Sequence, residues 1–185
     1  MVEIDAKVIE WSKTYLPNHA QGAFDDPRLT VVIDDGVRYC ATCQETYDVI
    51  LTDSTDPIGP AVALFESPHY ANLKRCLSNT GILVCQNGVS WLQQSELKTT
   101  VQRWQPLMPH YGFYFAMVPT YIGGQMSFAW ASRQYDLAVV NCLELEQRLA
   151  KLDVNLHVYN PRIHQAAFAL PNYLQNDLNQ ALEAL

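Results

Sequence analysis

The sequence is short of basic residues, long apolar runs and regularly spaced cysteines, and each shortage excludes a class of protein. It has 12 Lys and Arg against 19 Asp and Glu, which gives a formal net charge of −7. An acidic chain without a Lys/Arg run lacks the electrostatic footprint of a nucleic-acid or anionic-membrane binder, whereas cationic ligands such as amines are attracted to it. No apolar stretch reaches the ~20 residues that span a bilayer.

The five cysteines are odd in number and irregularly spaced, which argues against a disulfide framework. Cys40 and Cys43 form a single CxxC pair, and nothing in the pattern supplies the further ligands that tetrahedral zinc needs. A chance pair is therefore favoured over a zinc or redox site. The opening residues, Met1 to Asp5, carry charge where a signal peptide needs an apolar core, so we expect a cytoplasmic protein.

The 185 residues, 49% hydrophobic and 17% charged, have the composition of one ordinary globular unit. A chain of this length buries roughly two-thirds of its unfolded surface on folding, so a stabilising metal or disulfide is not required. No repeat, linker or shift of composition divides it. We expect a single domain over residues 1–185.

The apolar pattern predicts an α/β fold. Continuous apolar runs are typical of parallel strands buried on both faces, and here they alternate with helical patterns. The predicted strands cover residues 1–4, 29–33, 47–52, 81–86, 114–119 and 126–132. The predicted helices cover residues 5–16, 61–77, 95–108, 141–152 and 173–185. A loop over 120–125 joins the last two strands, so we expect the sheet to finish as an antiparallel hairpin, and the leucines of the last helix to lie in the core.

Polar side chains follow several of these strands, at the edge where open parallel sheets bind ligands. Glu3, before a helix, is placed to accept hydrogen bonds from ribose hydroxyls, or it is a surface carboxylate that the helix dipole favours. Asp35 and Gly36 form either a site for an exocyclic adenine amine or a plain turn. Gln86 follows the apolar residues Leu83 to Cys85 at the end of the strand over 81–86.

The segment DSTDPIGP, residues 53–60, places Asp53 and Asp56 three residues apart in a loop stiffened by Pro57 and Pro60. Two nearby carboxylates bind a cation, and in a partly dry site they hold one pKa above the usual Asp range. The alternative is a helix cap, because Asp and Pro are both favoured at helix starts. The residues alone leave both interpretations open.

Taken together, these segments resemble the spermidine synthase family, the polyamine aminopropyltransferases, over nearly the whole chain. The resemblance depends most on DSTDPIGP after a buried strand, and the tail YNPRIHQAAFALP is most similar to bacterial members. The other matching segments are Val2 to Asp5, Tyr15 to Asn18, Asp25 to Arg28, Ile33 to Gly36, Tyr47 to Ile50, Leu64-Phe65, Gln86 to Gly88 and Pro119 to Tyr121.

The resemblance implies a Rossmann-like, class I methyltransferase-type domain with a mostly parallel sheet. It also implies transfer of an aminopropyl group from decarboxylated S-adenosylmethionine to putrescine, which gives spermidine and methylthioadenosine. Asp53 would be the catalytic base, because a protonated amine has no lone pair with which to attack. No metal and no cofactor are implied, since the sulfonium co-substrate is already activated.

The resemblance further implies two groups of binding residues and a homodimer or higher homo-oligomer. The polyamine-binding residues would be Asp53, Ser54, Thr55, Asp56, Gln86 and Tyr121. The nucleoside-binding residues would be Glu3, Asp35, Gly36 and Pro60.

Relative to the family pattern, the chain lacks an N-terminal β domain and the first Rossmann strand with its glycine-rich loop. In the family that strand lies between the strands ending at Glu3 and Asp53, so its absence leaves a gap one strand wide, about 4.8 Å, and two unpaired strand edges. We expect that the two strands re-pair directly, that another polypeptide supplies the missing strand, or that a longer product is the real one. The alternative function is a catalytically inactive remnant or an interaction subunit. A methyltransferase is disfavoured, because paired Asp53 and Asp56 suit a dication.

Overall fold

The computed structural model describes residues 1–184 and divides the chain into two compact units, Met1–Glu45 and the part from Thr46 onward. Within residues 1–184, no helix is both long and apolar enough to cross a membrane.

The first unit contains a two-stranded parallel sheet, in which Val2 pairs with Val32 and Glu3 with Ile33. Its elements are β1 (Val2–Glu3), α1 (Ala6–Tyr15), α2 (Pro17–Ala20), a 3-10 turn (Ala23–Asp25), β2 (Val32–Ile33) and α3 (Gly36–Thr42). The predicted strand–helix start is confirmed. Only the last two residues of the predicted strand over 29–33 form a strand, because a turn in which the Leu29 N–H donates to the Asp26 carbonyl at 3.0 Å occupies its start.

The second unit is built on a four-stranded sheet in the order β3-β4-β6-β5. Its strands are β3 (Tyr47–Thr52), β4 (Leu77–Gln86), β5 (His110–Met117) and β6 (Gln125–Ser132). The β3–β4 pair is parallel, and both pairs that β6 makes are antiparallel, which confirms the predicted antiparallel finish and makes the sheet mixed.

Helices of the second unit contribute, with the sheet, to its buried core. They are α4 (Ser67–Cys76), α5 (Gln94–Trp104), α6 (Cys142–Leu149), α7 (Pro161–Ala167) and α8 (Asn172–Glu183). Leu83 of β4, Ala129 of β6 and Leu97 of α5 are all buried. Leu174 and Leu178 of α8 are also buried, as expected for the predicted core leucines.

One predicted helix is wrong in detail. Residues 61–77 do not form a continuous α-helix: Gly59–Phe65 is a 3-10 helix, and α4 begins at Ser67 with Pro68 in its first turn. Proline has no N–H to donate and fits the first turn of a helix better than its interior. The short helices α3 and α7 were not predicted from the pattern.

Candidate functional site

In the second unit, β3 and β4 end side by side. Their register sets Thr52 opposite Cys85, so Asp53, the first residue after β3, and Gln86, the last residue of β4, lie at the same edge of the sheet. The Thr52 side chain hydrogen-bonds the Cys85 thiol, and burial raises the pKa of that thiol to about 12. Cys85 is therefore a protonated, inert part of the frame and does not serve as a nucleophile.

The loop after β3 presents its polar groups to solvent. Asp53, Thr55 and Asp56 are exposed, Ser54 is half-buried, and Pro60 is exposed. The Asp56 carbonyl accepts from the Ile58 N–H at 2.7 Å. The 3-10 helix that follows has Ile58 as its first flanking residue and no side-chain cap, so the helix-cap interpretation of the Asp pair is wrong. Both carboxylates remain available to a ligand.

The turn after β4 is held much more tightly than that loop. The Asn87 N–H donates to the Ser127 carbonyl, and the Ser127 N–H donates to the Gly88 carbonyl, both at 2.9 Å. The Ser127 hydroxyl lies 2.9 Å from the Asn87 carbonyl and 2.8 Å from that of Gly88. Asn87, Gly88 and Ser127 are buried, and Gly88 has φ +73°, which favours glycine. This turn holds the end of β4, where Gln86 lies, against the start of β6.

Tyr121 lies in the loop that joins β5 to β6. The Val118 N–H donates to the Gly124 carbonyl at 2.7 Å, and the Gly124 N–H donates to the Tyr121 carbonyl at 2.9 Å. Because β6 runs antiparallel to β4, the start of β6 lies at the same edge as the end of β4. Asp53, Gln86 and the Tyr121 loop are thus brought to one edge of the sheet, with the Tyr121 side chain exposed.

A cavity of about 190 Å³ lies beside the Asp53–Pro60 loop, with Pro57, Phe65, Glu96 and Arg103 among its lining. Burial, helped by the nearby charge of Asp56, raises the pKa of Glu96, while its hydrogen bond with Gln93 acts in the opposite direction. The sequence interpretation did not identify Gln93 or Glu96. Their signal was available: a polar residue followed three positions later by Glu at a helix start.

In the first unit, both acidic residues predicted for the nucleoside have backbone partners. Glu3 Oε1 accepts from the Asp5 N–H at 2.9 Å, and Asp35 Oδ1 accepts from the Val37 N–H at 2.8 Å, which caps α3. Gly36 is the first residue of that helix. The β1–β2 register sets Glu3 opposite Ile33, so both acidic residues lie at the carboxyl end of this sheet. Their roles toward a nucleoside stay predictions.

Among the side chains of residues 1–184, no group of three or more His, Cys, Asp or Glu is arranged to hold a metal ion.

The family and sequence comparisons both match this chain to polyamine-synthesising aminopropyltransferases. The pattern of the family described as spermine/spermidine synthase domain matches residues 1–142. Polyamine aminopropyltransferase 1 of Pseudomonas aeruginosa is 51% identical over 174 residues, which are 94% of this chain and 61% of that protein. The polyamine aminopropyltransferase of Pseudomonas syringae is 48% identical over 181 residues, 98% of this chain and 63% of that protein.

The solved structures agree with the sequence relatives. A crystal structure of spermidine synthase in complex with the transition-state analogue AdoDATO superimposes with a TM-score of 0.86 at 30% identity, covering 97% of this chain and 60% of that one. The described fold is therefore the Rossmann-like fold of that enzyme. The chain spans about three-fifths of the length of the curated relatives it matches.

Proposed function

Because this chain belongs to the spermine/spermidine synthase family, we propose that it is the catalytic portion of a polyamine aminopropyltransferase. The observation that carries the proposal is the register of β3 and β4, since it brings Asp53 and Gln86 to the same edge of the sheet. The reaction transfers the aminopropyl group of decarboxylated S-adenosylmethionine to putrescine. Spermidine and methylthioadenosine are the products.

Asp53 is the proposed catalytic base. It follows the last residue of β3, where a rigid strand aims it at the sheet edge while its carboxylate stays exposed. Putrescine is a dication at neutral pH, so one nitrogen must lose a proton before its lone pair attacks the carbon next to the sulfonium. Asp53 takes that proton, the new C–N bond forms, and the C–S bond breaks with its electrons going to sulfur.

The remaining polyamine contacts come from the same edge of the second unit. Asp56 holds the amine beside Asp53, with Ser54 and Thr55 forming the connecting loop. Gln86, at the end of β4, and Tyr121, in the loop between β5 and β6, complete the amine site. Alignment of nitrogen, carbon and sulfur supplies most of the rate, since the sulfonium is already a good leaving group.

The resemblance to the family assigns four residues to the nucleoside part of the co-substrate. Glu3 binds the ribose hydroxyls, Asp35 and Gly36 bind the adenine, and Pro60 packs on the nucleoside. The reaction needs no cofactor beyond the co-substrate and no metal. Residues 1–185 form one partial catalytic domain, and the protein works in the cytoplasm as a homodimer or higher homo-oligomer.

The test is the release of methylthioadenosine and spermidine by the purified chain, measured by mass spectrometry with decarboxylated S-adenosylmethionine and putrescine supplied together. We expect both products from the wild-type chain and from Asp153→Asn, a matched control that changes an exposed aspartate outside the site. We expect Asp53→Asn to release both products at least about 100-fold more slowly. A folded wild-type chain that releases neither product would contradict the proposed activity of this chain.

A second candidate is a non-catalytic interaction subunit. It is favoured by two features of β3, which is an edge strand of its sheet. The side chains of Val49 and Leu51, which share one face of the strand, are 57% and 71% exposed. A folded chain without turnover that gains activity on mixing with a longer relative would support this candidate.

A further inference from the structure

Gln93 joins two parts of the proposed amine site through one side chain. Its Oε1 accepts from the Val89 N–H at 2.7 Å, and its Nε2 donates to Glu96 Oε1 at 3.0 Å. An N–H group needs an acceptor and a carboxylate needs a donor, so these partners fix which end of the amide faces which way. Val89 belongs to the buried turn that begins after Gln86.

Glu96, the acceptor of the Gln93 hydrogen bond, lies near the loop that carries Asp53 and Asp56. Glu96 lines the cavity that Pro57 also lines, and Pro57 directly follows Asp56. The charge of Asp56 reaches Glu96, because it contributes to the raised pKa of the Glu96 carboxyl. The hydrogen bonds therefore run from the turn after Gln86, through Gln93, to Glu96, which lines a cavity beside the loop that carries Asp56.

We infer that Gln93 is a positioning residue that orients Glu96 and keeps it charged beside Asp56, so that the site presents a further carboxylate to a bound polyamine. The inference rests on the proposed function and deepens it, because it assigns amine affinity to two residues outside the predicted site. Glu96 acts on the ligand by its charge, and Gln93 acts only through Glu96.

Several charged groups surround Glu96 and must be considered with it. Asp56 faces it from the loop after β3, and Arg103 lines the same cavity from a later turn of α5. Arg103 donates its Nη1 to the carbonyl of Phe65, which lines the same cavity, and the causes that shift the pKa of Glu96 are burial, Gln93 and Asp56 rather than Arg103. Lys98 of α5 pairs with Asp177 of α8 at 3.2 Å. Glu96 has no ion pair with either cation among the described residues, so its carboxylate is open to a polyamine ammonium.

Gly88 supports the same arrangement. A Cβ at this position would overlap the Gln93 side-chain amide, so the glycine leaves room for Gln93 to lie against the turn. The Gln93 N–H also donates to the Val89 carbonyl at 2.9 Å, which holds the backbone of Gln93 against the same residue. The side chain is therefore fixed at both its backbone and its amide.

The experiment is a double-mutant cycle with Gln93→Met and Glu96→Gln, read as the putrescine KM and kcat of the chain. We expect Gln93→Met to raise KM about two- to fivefold, the size of a partly screened charge interaction, with kcat nearly unchanged. In the Glu96→Gln background the same change should have no further effect on KM. A purely structural role through Val89 would raise KM equally in both backgrounds, and that result would overturn the inference.

The pH profile and a measurement without turnover separate the inference from the proposed function. Loss of the Gln93 donor should raise the pKa of Glu96 further, so the KM defect should be larger at pH 5.5 than at pH 8. A ¹³C NMR titration of the Glu96 carboxyl should show a higher midpoint in Gln93→Met than in wild type, with Gln94→Met as the matched control. An unchanged midpoint overturns the inference, whereas a wild-type chain that neither turns over nor binds putrescine contradicts the proposed function.

Discussion

The strands β3 and β4 are paired, parallel and similarly apolar, yet they differ in their position in the sheet and in the exposure of their side chains. β4 lies inside the sheet, where Leu83 is 1% exposed, whereas β3 is an edge strand in which Leu51 is 71% exposed. The turn after β4 is buried and bonded to Ser127, whereas the loop after β3 is mostly exposed. The difference teaches that the proposed catalytic carboxylate, Asp53, follows the exposed edge strand, while the interior strand is followed by a rigid, buried turn.

Truncating one leucine in each strand gives the largest expected contrast. Leu83→Ala should lower the free energy of unfolding by about 2–5 kcal/mol, because it removes buried side-chain volume. Leu51→Ala should change it by no more than about 0.5 kcal/mol, because the side chain is already in solvent. Urea unfolding followed by circular dichroism measures both. Equal losses would mean that the Leu51 side chain is buried in the folded chain.

The two glycines that follow the strands sharpen the contrast. Gly59 and Gly88 have φ of +59° and +73°, so alanine costs about 1–2 kcal/mol at either position from backbone strain alone. Only at Gly88 does the new Cβ overlap a neighbour, Gln93, which adds about 1–3 kcal/mol. In thermal or urea unfolding, Gly88→Ala should be less stable than Gly59→Ala. The reverse order would contradict the tight packing of the turn after β4.

The pH dependence of Glu96→Gln is the smallest expected effect. The pKa of Glu96 is raised in the folded chain above its ordinary 4.5, so the folded state holds the proton more tightly than the unfolded state. The wild type therefore loses stability as pH rises from about 4.5 through the raised pKa, and the variant does not. Across that pH window the free energy of unfolding of Glu96→Gln should rise relative to that of wild type. The rise should be less than about 1 kcal/mol, because the carboxyl is mostly solvated. A gain of the same size below pH 4 would rule out this cause.

Much of this contrast was accessible from the sequence, because it is local. The run over 47–52 is apolar and bounded by polar residues, and it forms a strand with those bounds. The placement of Asp53 and Gln86 at one edge follows from the general rule that parallel strands end together. Pro68 could have been recognised as the start of a helix, since proline fits the first turn.

The rest depends on which strands become neighbours. The apolar pattern of β3 is that of a strand with two partners, whereas the family resemblance predicted that one neighbour is missing; in the described sheet β3 has the single partner β4. The link from Val89 through Gln93 to Glu96 depends on side-chain directions at a helix start, which spacing alone does not fix. The roles of Glu3, Asp35, Gly36 and Pro60 toward a nucleoside stay predictions.

The most direct test of the central claim is the kinetic comparison of Asp53→Asn with Asp56→Asn, with putrescine varied at saturating co-substrate. The account predicts that Asp53→Asn lowers kcat by about 100-fold or more, as loss of a general base does, with a small change in the putrescine KM. Asp56→Asn should instead raise that KM by about 10-fold or more, as loss of a charged hydrogen bond does, with kcat nearly retained. An Asp53→Asn chain that keeps the wild-type kcat would contradict the assignment of the base, and with it the function proposed for this edge of the sheet.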